Sequence, residues 1–166
     1  RLYTPDTKAR DMEVKTGLKK DGIDARSFAG HLLFDPWTVQ TKTRGFYKVY
    51  TPLWKSVRGA EIAPTLAAPP QLIAPDVWPA SDALSDLQTA RAMNRGAAIV
   101  GAYAHVGESR AAERRDAFLS DIVADYDRTR DLPAIRGTSN LSENLALGEI
   151  SPRTCWHGGQ RARAAG

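Results

Sequence analysis

The sequence predicts a mainly α-helical chain, divided by a long proline-rich connector. Three observations carry that prediction. Thr4-Pro5, Thr51-Pro52 and Ser151-Pro152 repeat one pattern: a hydroxyl residue able to cap a helix, then a proline suited to its first turn. Phe118, Ile122 and Tyr126 recur every four residues, the spacing of one helical face. Between Glu61 and Ala80 stand Pro64, Pro69, Pro70, Pro75 and Pro79, each fixing φ and removing a donor, so no long regular element fits there.

Taken in order, the first helix starts at Thr4-Pro5-Asp6, where Asp6 suits the positive end of the helix dipole. It runs through Met12, Val14 and Leu18 and weakens near Gly17 or Asp21-Gly22. Leu32-Leu33-Phe34, ended by Asp35-Pro36, reads as a buried strand or an extended segment, and periodicity does not choose between them. Lys42 to Arg44 forms a polar turn closed by Gly45. A short helix is expected from Thr51 to about Val57, and the aromatic density of residues 46–55 suggests a packed junction. Trp78 is expected to pin the connector to a surface.

Ser81 could cap a helix through Leu84 and Leu87 that ends by Gly96, and the alanine content of residues 97–106 favours helix again. Gly107-Glu108-Ser109 opens the clearest helix. Ala111, Ala112, Phe118, Leu119, Ile122, Val123 and Tyr126 form its apolar stripe. Arg110, Glu113, Arg114 and Asp121 fall on the other side, while Arg115 sits on the stripe with a stem that packs and a head that reaches water. If this helix ends near Asp127, Arg128 and Arg130 diverge, one inward and one to solvent. Ser142 caps a short helix through Leu145 and Leu147, stopped by Gly148. The last helix runs from Pro152 towards Gly158 or beyond.

Hydrophobic residues make up 42% of the chain and charged residues 25%, ordinary proportions for a water-soluble globular protein. No apolar run approaches the ~20 residues needed to cross a bilayer. Cys155 is the only cysteine. A lone thiol forms no internal disulfide, so the simplest reading is a reducing, cytoplasmic setting. The net charge is +4. All six cations of residues 126–166 are arginines, whose planar fork matches phosphate. That balance permits a nucleic-acid partner without demanding one.

Gly137-Thr138-Ser139-Asn140-Leu141-Ser142 offers the composition of a phosphate site: a glycine and hydroxyl residues at a helix entrance, with free backbone N–H groups. The same composition also describes an ordinary capped helix. Tyr126, Arg128 and Arg130 lie upstream, and the arginines also read as surface charges paired with Asp127 and Asp131. His31, His105 and His157 lack metal-ligand spacing, and Cys155 has no CxxC partner. Cys155 and His157, two apart on a helix, point in different directions and make a poor nucleophile pair. There is no P-loop or GxGxxG pattern.

The run Tyr-Asp-Arg-Thr-Arg-Asp-Leu-Pro-Ala-Ile-Arg-Gly-Thr-Ser-Asn-Leu-Ser (126–142), followed by Leu-Gly-Glu-Ile-Ser-Pro-Arg (147–153), resembles the DNA photolyase/cryptochrome family. Tyr47 to Lys55 is similar to the family's motif after its N-terminal α/β domain, and Ala9-Arg10-Asp11 with Val14 resembles a helix late in that domain. The resemblance implies three parts: residues 1–45 as the end of an α/β, Rossmann-like antenna domain, 46–80 as the inter-domain connector, and 81–166 as the start of the multihelical FAD-binding domain. It also implies that the sequence is a fragment of a longer protein.

The implied activity is that of a carbon–carbon lyase. Light-excited, reduced FAD passes an electron to a flipped-out cyclobutane pyrimidine dimer in DNA, the dimer splits and the electron returns. By motif match, Tyr126 contacts FAD; Thr138, Ser139, Asn140, Leu141 and Ser142 line the FAD phosphate region; and Arg130 faces damaged DNA. No catalytic residue is expected within this segment. Asn140 stands where the family often has arginine. Some members carry an antenna pigment such as a folate or a deazaflavin, but Asp6-Thr7 departs from the residues that touch folate, so no antenna site is predicted. Trp37, Trp54, Trp78 and Trp156 do not match the family's electron-relay tryptophans and read as packing. The segment alone is expected to be inactive, and to self-associate through apolar faces meant for absent neighbours. The alternative within the family is a cryptochrome-type blue-light receptor. Outside it, the alternative is a helical interaction module without cofactor.

Overall fold

A computed structural model describes residues 3–29 and 32–165. Among them are helices, 3-10 turns and irregular chain, and no strand. His31 lies outside the described residues. Leu32-Leu33-Phe34 is a bend, not a strand, and leads into a 3-10 turn at Pro36–Thr38.

Helix α1 (Pro5–Lys20) begins where the sequence places it, with Thr4 as N-cap residue, Pro5 in the first turn and Asp6 near the positive end. Its C-terminus closes in a Schellman arrangement: Ile23 N–H donates to Leu18 O at 2.9 Å and Gly22 N–H to Lys19 O at 3.1 Å. The helix buries none of its side chains. The turn at 41–45 also forms as expected, with Arg44 N–H on Thr41 O and Gly45 N–H on the Thr41 hydroxyl.

Helix α2 (Tyr50–Val57) starts one residue before Thr51, with Val49 at the cap position and no side-chain cap. The expected packed junction is absent. Phe46, Val49 and Tyr50 are largely exposed, because nothing in the described chain covers them. The connector has no regular element from Glu61 to Ala80, as its prolines require. Only Ile62 is buried there, and Trp78 is 71% exposed, so it pins nothing. The helix expected after Ser81 is replaced by two 3-10 turns, Leu84–Leu87 and Arg91–Met93. Gln88 and Asn94 adopt positive φ at 45° and 47° and end them. Regular helix resumes as α3 (Gly96–Gly101), which stops well short of Val106.

The longest helical run extends from Glu108 to Thr129 but is not uniform. It comprises α4 (Glu108–Ala117), a π turn (Phe118–Ile122), a 3-10 turn (Val123–Asp125) and α5 (Tyr126–Thr129). It therefore passes Asp127, and Arg128 and Arg130 do not split between interior and solvent: both are exposed. Residues eight apart on an α-helix are separated by ~12 Å along the axis. Here the Phe118 and Tyr126 rings meet edge to face, with centroids 5.8 Å apart, because the π turn changes the phase and Tyr126 leans back towards the helix start.

The core is small. Ala111 of α4, Leu141 and Ile150 are buried together, with Leu145 and Cys155 packed against them. Leu141 precedes α6 (Ser142–Ala146), and Ile150 precedes α7 (Pro152–Ala165). Helix α7 packs on the π turn, and a Cβ at Gly158 would stand 2.9 Å from Leu119 Cδ1. Its start follows the sequence: the Ser151 hydroxyl accepts Thr154 N–H at 3.1 Å, and Pro152 needs no donor partner. For α6 the cap position is Leu141, and Ser142 is the first helical residue, with no capping bond from its side chain.

Candidate functional site

The segment Gly137 to Asn144 is held by contacts at both ends. Gly137 is buried against the end of α5, where an added Cβ would lie 2.6 Å from the Thr129 carbonyl oxygen and 2.7 Å from its carbon. Since the obstacle is backbone, only glycine fits. The chain then exposes Thr138, half-buries Ser139 and reaches Asn140, whose φ is 50°, a region asparagine tolerates. Leu141 follows at φ −85°, ψ 2°. Such alternation turns successive N–H groups to one side and makes a concavity suited to anions. Among the described residues, the N–H groups of Thr138, Ser139, Asn140 and Leu141 donate to no protein acceptor, and the Ser139 and Ser142 hydroxyls have no partner. The Thr138 hydroxyl donates to Asn140 Oδ1 at 3.3 Å.

The other end is fixed by a network around Arg114, a residue expected on the side of the helix opposite its apolar stripe. Arg114 lies not on an exposed face but nearly buried, with its side chain 10% exposed. Its Nη1 donates to Asn140 O at 2.6 Å, Glu143 Oε1 at 2.7 Å and Asn144 Oδ1 at 3.0 Å. Asn144 is fully buried, and its Nδ2 donates to His105 O at 2.8 Å and Glu149 Oε2 at 2.7 Å. The Arg114 hydrogen bond holds the Glu143 carboxyl below its ordinary range, aided by the His105 N–H. Helix α4, the loop after α3 and the segment 140–149 are thereby tied together by charge-assisted bonds. No spacing rule marks Asn144 or Arg114, because all their partners but Glu149 lie 26 to 39 residues away in sequence.

These contacts leave an open cleft of about 600 Å³ lined by Tyr103, His105, Arg114, Arg136, Asn140, Ser142 and Glu143. Asn140 and Ser142 thus share one wall. Tyr126 does not line it. Instead, Tyr126 stacks on Phe118, and the Arg130 guanidinium carbon stands 5.8 Å from its ring centroid, within cation–π range. The two groups therefore form one unit at the end of α5, joined to the cleft wall through the Thr129–Gly137 contact. Arg130 lies 3.5 Å from Asp131, and Arg128 pairs with Asp125 rather than Asp127. Arg115 meets the expectation made for it: its stem lies against Gly158 while its head pairs with exposed Asp116.

Cys155 and His157 do not act on each other. Burial pushes the Cys155 thiol up from its ordinary value, and His157 Nε2 lies 3.0 Å from Ala63 O, tying α7 to the connector. Among the described residues no group of three or more His, Cys, Asp or Glu is placed to hold a metal, and no helix is long and apolar enough to cross a membrane.

The DNA photolyase family model matches residues 1–71. A deoxyribodipyrimidine photo-lyase of Agrobacterium fabrum is 40% identical over 158 residues, covering 95% of this chain and 33% of that protein. Cryptochrome-2 of Arabidopsis thaliana is 27% identical, over 92% of this chain and 26% of that protein. The crystal structure of a bacterial class III photolyase from Agrobacterium tumefaciens superposes with a TM-score of 0.86 at 38% identity, over 95% of this chain and 33% of that one. The chain belongs to the DNA photolyase/cryptochrome family and spans about a third of the length of the relatives it matches.

Proposed function

We propose that the chain is a segment of a flavin-dependent DNA photolyase, and that residues 138–142 form the wall of its FAD diphosphate site. One observation carries this: four successive backbone N–H groups without protein acceptors, together with free Ser139 and Ser142 hydroxyls, lie in the stretch whose Asn140 and Ser142 line the cleft. This donor set fits a diphosphate. Tyr126 and Arg130, stacked on each other, would present the flavin-facing and DNA-facing groups from one helix end. In the full-length protein, bound FAD supplies light-driven electron transfer for splitting cyclobutane pyrimidine dimers. This chain's own residues hold and orient it.

The three-part organisation, with residues 1–45 ending an α/β domain, 46–80 connecting and 81–166 opening the flavin domain, is supported by the end of the family match at residue 71, inside the proline-rich stretch. The cryptochrome reading has support in the plant relative. The exposed Arg130 head favours DNA, and repair of dimer-containing DNA by the longer protein separates the two.

The test is a flavin-fluorescence titration of this chain with FAD. The expected result is binding that a Thr138→Ala, Ser139→Ala double variant weakens at least tenfold, about 1.4 kcal/mol or more. Binding equally strong in the variant would remove the diphosphate from residues 138–142. A light-driven repair assay on the 166-residue chain is expected to show no dimer splitting, and measurable splitting would refute its being an incomplete catalyst.

A further inference from the structure

A diphosphate brings about two negative charges to its site, yet residues 138–142 carry no cation. Asn140 stands where the family motif often has arginine. Of the cleft's two guanidinium groups, Arg114 is committed to Glu143 at 2.7 Å and nearly buried. Arg136 is different. It is exposed, lines the same cleft as Asn140 and Ser142, and has neither an ion pair nor a side-chain hydrogen bond among the described residues. It also directly precedes Gly137, whose backbone contact with Thr129 fixes where this strand of chain runs. His105 and the exposed Tyr103 also line the cleft. The one carboxylate in the cleft, Glu143, is neutralised by Arg114.

We infer that Arg136 is the cation of this anion site, supplying from the position before Gly137 the charge that residue 140 does not supply, in a cleft that His105 also lines. The ligand class is a diphosphate ester of a nucleoside. A run of unpaired backbone N–H donors suits the clustered oxygens of a diphosphate better than the single phosphates of a nucleic-acid strand. This rests on the reading of residues 138–142 as a diphosphate wall. It goes further in adding a second wall and the charged residue.

All seven lining residues lie in this chain, so the chain itself can be tested. Its 15N-labelled form would be titrated separately with inorganic pyrophosphate, ADP, FAD, riboflavin and a short thymidine oligonucleotide. Pyrophosphate, ADP and FAD are expected to shift the amides of residues 136–143 and 103–105, whereas riboflavin, which has no phosphate, is expected to leave them in place. Arg136→Gln should weaken the three phosphate ligands about tenfold, the loss expected for one charge-assisted hydrogen bond, with the amide spectrum elsewhere unchanged. Arg136→Lys should recover most of that loss.

An Arg136→Gln variant that binds pyrophosphate as well as the parent would overturn the assignment of Arg136. If the Thr138→Ala, Ser139→Ala variant nevertheless loses binding, the diphosphate wall stands and only the role of Arg136 falls. No amide shift with any phosphate ligand overturns both. Tighter binding of the oligonucleotide than of ADP, lost in Arg136→Gln, would assign the cleft to a nucleic-acid strand and refute the diphosphate.

Discussion

Replacing Asn144 with alanine is expected to lower the stability of the chain by about 3 kcal/mol. Asn144 is fully buried and uses both ends of its amide: Oδ1 takes Arg114, and Nδ2 gives to His105 O and Glu149. Hydrogen bonds to charged groups contribute about 1.5–3 kcal/mol each, and an unpaired buried group left behind costs comparably. Alanine would strip an acceptor from nearly buried Arg114 and a donor from two oxygens at once. In an apolar core this small, with Ala111, Leu141 and Ile150 at its centre, no hydrophobic reserve offsets that loss. The measurement is the urea midpoint, followed by far-UV ellipticity, with Lys55→Ala as an exposed reference expected to stay within about 0.5 kcal/mol. If the two variants unfold at the same midpoint, the Arg114–Asn144 network is not what holds residues 140–149 to α4.

The second large effect is expected at Gly137. An alanine there would press its methyl against the backbone of Thr129, at 2.6 Å from O and 2.7 Å from C. Overpacking of this kind typically costs about 1–3 kcal/mol. Here the upper part of that range applies, because two of the three clashing atoms are main chain. The third is Thr129 Oγ1, at 2.7 Å, so Thr129→Ala in the Gly137→Ala background should restore only part of the loss. A thermal melt of the single and double variants tests this. Full rescue by Thr129→Ala would mean that the side chain alone sets the distance, and an unperturbed Gly137→Ala would mean that α5 and the segment 137–142 are not in contact.

What the sequence disclosed, and what it hid, divides along a physical line. Local chemistry was legible. Pro5 and Pro152 mark helix starts because the ring itself sets φ, and Ser151 caps because its acceptor is three residues from the N–H it takes. The connector's prolines exclude helix wherever they fall. Elements whose form depends on distant partners were not legible. The residues after Ser81 carry helical spacing but gain nothing by coiling, since Leu84 stays 81% exposed. Arg114 sits on what a helical wheel calls the polar side, yet that side faces Glu143 and Asn144 across 29 and 30 residues of chain. Asn140 and Ser142 were found through composition and do share the cleft. Tyr103 and His105 were missed because only the fold brings the loop after α3 to the segment 136–143, and Arg136, although next to Gly137, falls outside the glycine-and-hydroxyl pattern.

The π turn at Phe118–Ile122 makes the long helix a device for aiming. One residue more or less in an α-helix rotates everything downstream by about 100°, and a π turn absorbs such a residue without breaking the rod. Upstream of it, the face bearing Ala111 and Arg114 is fixed by the core. Downstream, Tyr126 and Arg130 take their bearing from the turn. The two halves therefore keep separate angular registers. A single-residue deletion inside Phe118–Ile122 would draw the turn back to ordinary helix and leave both faces near their present bearing, whereas the same deletion within α4 would swing the Tyr126–Arg130 pair around the axis by about 100°, so the length of chain held in the turn, rather than side-chain identity, sets the direction in which that pair points.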